Sequence, residues 1–381
     1  MSSYSTHSKE FKLPKDLASR VYFWENIFLT YDSSTHVIHD IDEPWIIIDI
    51  IPFEELAKTK NSPKLLENST QKKLVEKYLD RYKTALKRFA KEGKKATKYG
   101  AMEQRVHTVY SQSLSALKRL YKGNIEIRSQ QGLADTFINA AKRAQDYLPY
   151  VEREFRKQGV PIEVTRLAFV ESMFNSNAVS KVGASGMWQF MRSTAKSYMK
   201  VNSKIDERNN PLKAARAAAK LLRTNYNSLK SWPLAITAYN HGRAGMNRAV
   251  KQVGSRNLAT IIKRYHKKSF GFASENFYAE FLAALRSYNY LIKANKINIK
   301  PSNLDIVSVK LKKPIKLKHL AQNLRVPMNE IKKHNKCIKK ETFAKHSYYT
   351  LPKNFELFIP RKFSDQINYK VARLGTSKSR G

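Results

Sequence analysis

The sequence predicts a mainly α-helical chain with small strand-bearing ends, and three observations carry that prediction. Residues 133–290 place apolar side chains at helical spacing almost throughout, as at Phe137, Ile138, Ala141, Ala144 and Leu148. Pro211 to Leu229 is alanine-rich, a composition of high helix propensity. Beyond Pro301 the pattern changes to alternation at Val307 and Val309, then to two short helical runs and a closing apolar stretch, a small βααβ sequence.

In chain order, residues 1–20 are polar and are expected to be loosely held. Val21 to Leu29 reads as an amphipathic helix. Val37-Ile38-His39 and Trp45 to Ile51 read as a strand pair joined by the acidic turn Asp40-Ile41-Asp42-Glu43-Pro44. From Ser69 to about Tyr121 the pattern is helical and strongly basic, with breaks at Gly93 and Gly100. Gln131 to Asp135 begins another helix, which Pro149 is expected to bend or end. Gly159 closes the next segment and Pro161 opens the one after it. Helices are then expected at Pro211 to Leu229, Pro233 to Tyr239, Phe277 to Ile292, Leu317 to Leu324 and Met328 to His334. A strand is expected within Tyr349 to Ile359, followed by a basic tail.

Composition bounds the chemistry. A chain of 381 residues is long enough for two or three domains and a substantial core. With 71 Lys and Arg against 31 Asp and Glu, the net charge of +40 draws the chain toward polyanions of any kind, which charge alone does not distinguish. A single cysteine, Cys337, excludes an intramolecular disulfide and a cysteine-based metal cluster, and it reads as a small core residue. His39 and His241 read as structural, and no cofactor is expected. No stretch reaches the roughly 18 apolar residues of a membrane span. The first seven residues lack the apolar run of an export signal, which fits either an intracellular chain or one whose signal has been removed.

The residues that carry chemistry begin at Glu171. It follows the apolar run Leu167-Ala168-Phe169-Val170, with Phe174 three residues on and so on the same helix face. An apolar setting destabilises a carboxylate, so its pKa is expected to rise, keeping it protonated as a general acid. Between Ser172 and Ser274 the only other acids are Asp206 and Glu207, and Asp206-x-Arg208-x-x-Pro211 reads better as a loop and helix start. Gly183 and Gly186 permit a tight turn that returns the chain toward Glu171. Ser180 is placed to orient the carboxyl, Gln189 to bond a ligand, and Ser185 to serve the turn. Tyr239 and Asn240 lie at an expected helix end, whereas Trp188 reads as core.

Glu171-Ser172-x-Phe174-Asn175 is followed by Ser180-x-x-Gly183-Ala184-Ser185-Gly186-x-x-Gln189-Phe190-Met191-x-x-Thr194-Ala195. Together they resemble the first two signatures of family 1 lytic transglycosylases. Ala238-Tyr239-Asn240-x-Gly242 resembles the third, and Asn276-Phe277-Tyr278-x-x-Phe281-Leu282-Ala283 the fourth, more loosely. The form Trp188-Gln189-Phe190-Met191 and the region around Val37-Ile38-His39-Asp40 are similar to the membrane-bound transglycosylase D branch. Arg192 stands where the family has proline, and His241 where it has alanine.

The resemblance implies a lysozyme-like (SLT) helical catalytic domain. Its implied activity is exolytic or endolytic cleavage of the β-1,4 bond between N-acetylmuramic acid and N-acetylglucosamine, leaving 1,6-anhydromuramyl ends. It implies Glu171 as the catalytic group, with Ser180, Gln189, Met191, Tyr239, Asn240 and Tyr278 on the substrate. The rings of Tyr239 and Tyr278 are candidates for stacking on sugar faces. Residues 301–362 resemble a degenerate LysM module through Val307, Val309, Asn335 and Leu357-x-Ile359-Pro360, with Lys313-Pro314-Ile315 in place of the usual Gly-Asp-Thr turn. The expected partition is an N-terminal extension (1–130), a catalytic domain (131–300), the LysM-like module (301–362) and a basic tail (363–381). Peptidoglycan strands and anionic envelope polymers are the expected partners, no nucleic acid is expected, and the expected location is the cell envelope, periplasmic or exported. A non-catalytic wall-binding protein and a hydrolysing muramidase remain open as alternatives.

Overall fold

The computed structural model describes residues 9–298, 300, 302, 304–344 and 349–363. The chain divides into two compact units, each made of two stretches of sequence. One comprises Met1–Asn139 with Asn225–Ile297, the other Ala140–Thr224 with Asn298–Gly381. The expected tail, apart from Phe363, lies outside the described residues.

In the first unit the helix Ala18–Leu29 packs along Phe272–Lys293. Its buried face is Val21, Phe23, Trp24, Ile27 and Phe28. Arg20 Nη1 and Trp24 Nε1 both donate to Asn276 Oδ1, at 2.9 and 3.1 Å, so the N-terminal helix fixes the residue that opens the fourth signature. The expectation of loosely held residues up to 20 is corrected for 9–20. Phe11 is buried edge-on against Phe281, 5.3 Å between centroids, and Leu17 is buried too.

The expected strand pair is present as Thr35–Asp40 and Ile47–Pro52, antiparallel with a bulge at Ile38/His39. A third strand, Ile127–Gln131, which the sequence pattern does not announce, pairs antiparallel with the other edge of Thr35–Asp40, and the helix expected to begin within Gln131 to Asp135 starts at Ala134. The basic region forms Asn68–Glu92, a 3-10 stretch Gly93–Tyr99, Ala101–Tyr110 and Leu114–Tyr121. Its breaks fall at Gly93 and Gly100, whose φ angles of 56° and 144° are costly for other residues.

His39 is fully buried in this unit. Its Nδ1 lies 2.8 Å from Asp40 O, and Nε2 has no hydrogen-bond partner among the described residues. Burial holds the imidazole neutral and lowers its pKa to about 4, with Arg128 and Arg20 adding to the shift. Because the folded-state pKa lies below the unfolded value, acid protonates the unfolded chain first. Stability from this group is complete above pH 6.5 and declines as pH falls toward 4, by about 1.4 kcal/mol per pH unit and about 3 kcal/mol in all. Urea unfolding of the wild type and of His39→Gln across pH 4–7 checks this. The two curves should diverge in slope below pH 6.5, and parallel curves would remove His39 from the acid response.

The second unit takes in the helix Ala134–Lys157 from residue 140 onward, and this helix runs through Pro149 rather than ending there. An interior proline costs about 3 kcal/mol through a lost hydrogen bond and a steric clash. Leu148, Val151 and Phe155 are each at most 3% exposed. Burying each contributes about 1.5–3 kcal/mol, so packing outweighs the break. Pro211–Leu229 follows as expected.

The C-terminal residues form the expected core pattern with additions. Ile306–Lys310 pairs antiparallel with Glu356–Pro360, around the helices Leu317–Leu324 and Met328–His334. A short helix Lys340–Ala344 and a second strand pair, Ile315–Lys316 with Thr350–Leu351, complete it. Cys337 is fully buried here and burial pushes its thiol up to about 11, so it behaves as a small core side chain.

Candidate active site

Pro161 precedes a 3-10 turn, Ile162–Arg166, that continues as the helix Leu167–Ser172. Leu167, Ala168 and Phe169 are buried, and half-buried Glu171 sits on the last turn. The helix stops because Met173 and Phe174 both take left-handed conformations, φ 52° and 56°. Their amides close the helix end, Met173 N donating to Phe169 O at 3.0 Å and Phe174 N to Ala168 O at 3.1 Å. Two consecutive non-glycine residues at positive φ are strained. What holds them is contact: Phe174 is 1% exposed and its ring lies 4.6 Å from that of Phe169. Arg143 Nη2 also donates to Met173 O at 2.8 Å.

The glycine loop is tied back to this helix end. Ser172 Oγ donates to Met187 O at 2.8 Å and accepts from Asn175 N at 3.1 Å. Gly186 N donates to Ala178 O at 2.8 Å, and Gly183 N to Ser180 O at 3.0 Å. Gly186 has φ +79°, and a Cβ there would lie 1.9 Å from Arg208 O, so only glycine fits. Ser180 Oγ accepts from Ala184 N at 2.9 Å, which leaves the hydroxyl its own proton to donate.

Gln189, at φ 45°, directs its amide nitrogen to Gly186 O (2.8 Å) and Ala178 O (3.2 Å). The expected ligand-bonding amide therefore holds the loop through its nitrogen. Ser185 is buried with its hydroxyl on Asn209 Oδ1 at 2.7 Å, consistent with a turn role. Trp188 is fully buried, stacked on Phe155 at 5.2 Å, as expected of a core residue. Met191 is 42% exposed at the loop's end, and Val179 and Val182 are exposed on its rim.

Arg208 clamps the loop from below. Its Nη1 donates to Gly183 O (2.8 Å) and Phe190 O (3.0 Å), and its Nε and Nη2 hold the Asp206 carboxylate at 2.9 and 2.7 Å. Both side chains are buried. Glu207 is bonded to Lys213 Nζ at 2.7 Å and Lys200 N at 2.8 Å. The two other acids of this stretch are thus structural ion-pair partners.

The remaining predicted residues belong to the first unit. Trp232–His241 ends at Gly242, φ 86°. Tyr239 is half-buried, parallel to Phe277 at 6.5 Å. Asn240 is exposed and its Oδ1 accepts from Ser274 Oγ at 2.9 Å. Asn240 lines a surface cavity of about 470 Å³, together with residues that include His241, Arg248 and Phe272. The His241 ring packs edge-on against Phe270 and over Gly245, where a Cβ would lie 2.5 Å from its Nε2.

Tyr278 is 2% exposed against Phe281, within a helix whose residues 276–279 and 281–285 are all buried. Burial also raises its phenol pKa. Sequence reasoning missed Glu280, half-buried on the same helix, whose carboxyl is pushed up to about 8 by desolvation against the pull of Arg128.

This arrangement is that of a helical domain presenting a half-buried carboxyl beside a clamped glycine loop. Residues 150–262 match the family model described as Transglycosylase SLT domain. Membrane-bound lytic murein transglycosylase D of Escherichia coli, from strain K12 and from an O6:H1 strain, is 24% identical over 238 residues, 60% of this chain and 50% of the relative. A putative tributyltin chloride resistance protein of an Alteromonas species is 32% identical over 120 residues, 31% of this chain and 58% of the relative. The chain spans about half the length of the curated transglycosylases it matches. Among solved structures, an inactive mutant of the lytic transglycosylase Slt from Pseudomonas aeruginosa aligns with TM-score 0.32 and 16% identity, over 75% of this chain and 48% of that one.

Proposed function

We propose that the chain is a peptidoglycan lytic transglycosylase, cleaving between N-acetylmuramic acid and N-acetylglucosamine with Glu171 as its single acid and base. The observation that carries this reading is the pairing of Asp206 with Arg208 and of Glu207 with Lys213, beside a half-buried Glu171. Two-carboxylate glycosidases need a nucleophile or a water-activating base next to the acid. Here the substrate supplies the nucleophile. The Glu171 carboxyl protonates the glycosidic oxygen as the C1–O bond breaks, and N-acetylglucosamine leaves as the alcohol. The resulting carboxylate takes the proton of the muramyl C6 hydroxyl, whose oxygen closes on C1. The proton returns to Glu171, no water is consumed, and a 1,6-anhydro ring forms.

Ser180, with a hydroxyl proton to donate, orients the carboxylate between the two transfers. Met191, with Val179 and Val182 on the loop rim, gives an apolar wall for the glycan, and Tyr239 and Asn240 are assigned to substrate from the third signature. The relatives named as murein transglycosylases support a location at the cell envelope. No helix among the described residues is long and apolar enough to cross a membrane. The net charge of +40 suits retention by wall carboxylates and other envelope anions.

Mass spectrometry of products from purified sacculi tests the reaction. Anhydro ends, lighter by one water than reducing ends, are expected as the main product. Reducing ends in their place would convert the reading to a muramidase.

A further inference from the structure

The C-terminal residues are built into the second unit rather than appended to it. Ile205, from the loop before Arg208, is fully buried in the same apolar cluster as Leu311, Leu324, Ile331, Ile338 and Leu357. Its backbone bridges antiparallel to Ile338. On either side, Asp206 N donates to Cys337 O at 2.7 Å and Lys339 N donates to Lys204 O at 3.1 Å. The segment 204–206 therefore pairs with the module and lends it a core residue. Asp206 is also the residue that holds Arg208, and Arg208 holds the carbonyls of Gly183 and Phe190.

A second contact reaches the other side of the candidate site. Lys336 Nζ lies 3.2 Å from Ser176 Oγ and 3.3 Å from Asn177 Oδ1, on the turn that follows the Glu171 helix. A wall-binding module on a tether would complete its own core and meet its neighbour through polar contacts, free to reorient. Here, moving away would expose Ile205 and leave the amide of Asp206 and the carbonyl of Lys204 without their partners.

We propose that the C-terminal module, residues 306–360, is a positioning element for the catalytic loop. Through Ile205 and Asp206 it sets the clamp Arg208 applies to 183–190, and through Lys336 it sets the turn after Glu171. The proposal rests on the functional reading above for its catalytic consequence, but its structural content is separate, and both are measured in the full-length chain.

Ile205→Ala removes side-chain volume from the shared core without touching the loop. Hydrogen exchange is followed at the amides of Ser185, Gly186 and Gln189, which donate to Phe190 O, Ala178 O and Gly186 O. Exchange at these three amides is expected to accelerate about tenfold or more, while the interior amides of Trp232–His241 stay as in the wild type. With a short soluble glycan, kcat is expected to fall about tenfold or more with KM within about twofold, because the bound sugar is no longer aligned with the acid. Ile205→Val should restore both readouts.

Unchanged loop exchange in Ile205→Ala, or equal acceleration in the loop and in Trp232–His241, would overturn the proposal. A wild-type chain that releases no anhydro product would overturn the functional reading instead, and the exchange result would still decide the positioning role.

Discussion

Glu171→Gln is expected to eliminate release of 1,6-anhydro products from sacculi, lowering turnover by about 10²–10⁴-fold or more, while the thermal midpoint stays near that of the wild type. The amide matches the carboxyl in shape, so the half-buried end of Leu167–Ser172 keeps its packing. What is lost is the proton for the leaving oxygen and, a moment later, the base for the C6 hydroxyl. On the proposed reading both steps use one group, because the two other acids between Ser172 and Ser274 are held by Arg208 and Lys213. Liquid chromatography of digested sacculi with a parallel melting curve reads both halves of this expectation. A variant that retains more than a tenth of wild-type turnover would remove Glu171 from the reaction.

Arg208→Leu should be the most damaging substitution to stability in the loop region, costing about 3–5 kcal/mol. The Arg208 and Asp206 side chains are only 8% and 6% exposed. Removing the guanidinium leaves a buried carboxylate without its charged partner and takes the donor from Gly183 O and Phe190 O. Replacing both partners by leucine should recover part of the loss, since a buried charge left alone costs more than a pair exchanged for apolar volume. Urea unfolding of the two single variants and the double variant supplies the cycle. A loss below about 1 kcal/mol in Arg208→Leu would mean the clamp is solvated and the loop is held by other contacts.

The helices Pro211–Leu229, Leu317–Leu324 and Met328–His334 begin and end where composition and period place them, because their apolar faces and bounding residues are local signals. The order Glu171, Ser180, Gly183, Gly186, Gln189 was legible for a related reason. Tight turns require glycine at particular backbone angles, and the sequence spacing follows. The strand Ile127–Gln131 was not legible. Ile-Arg-Ser-Gln-Gln has little alternation of its own and becomes a strand by pairing with Thr35–Asp40, 87 to 95 residues earlier. Pro149 does not end its helix because the cost of an interior proline is local, while the packing that offsets it is not.

From its sequence alone, this protein's helical class, the place of Glu171 at the end of an apolar run and the spacing of the loop that follows it were legible, since each depends on residues near one another in the chain. Only the tertiary structure decided that Asp206 serves Arg208 rather than the substrate, that Tyr278 lies in the core, that Glu280 titrates high and that the C-terminal module shares its core with Ile205. These are properties of what surrounds a side chain. Burial and charge pairing act over a few ångströms in space, and the groups that supply them are tens to hundreds of residues away along the chain.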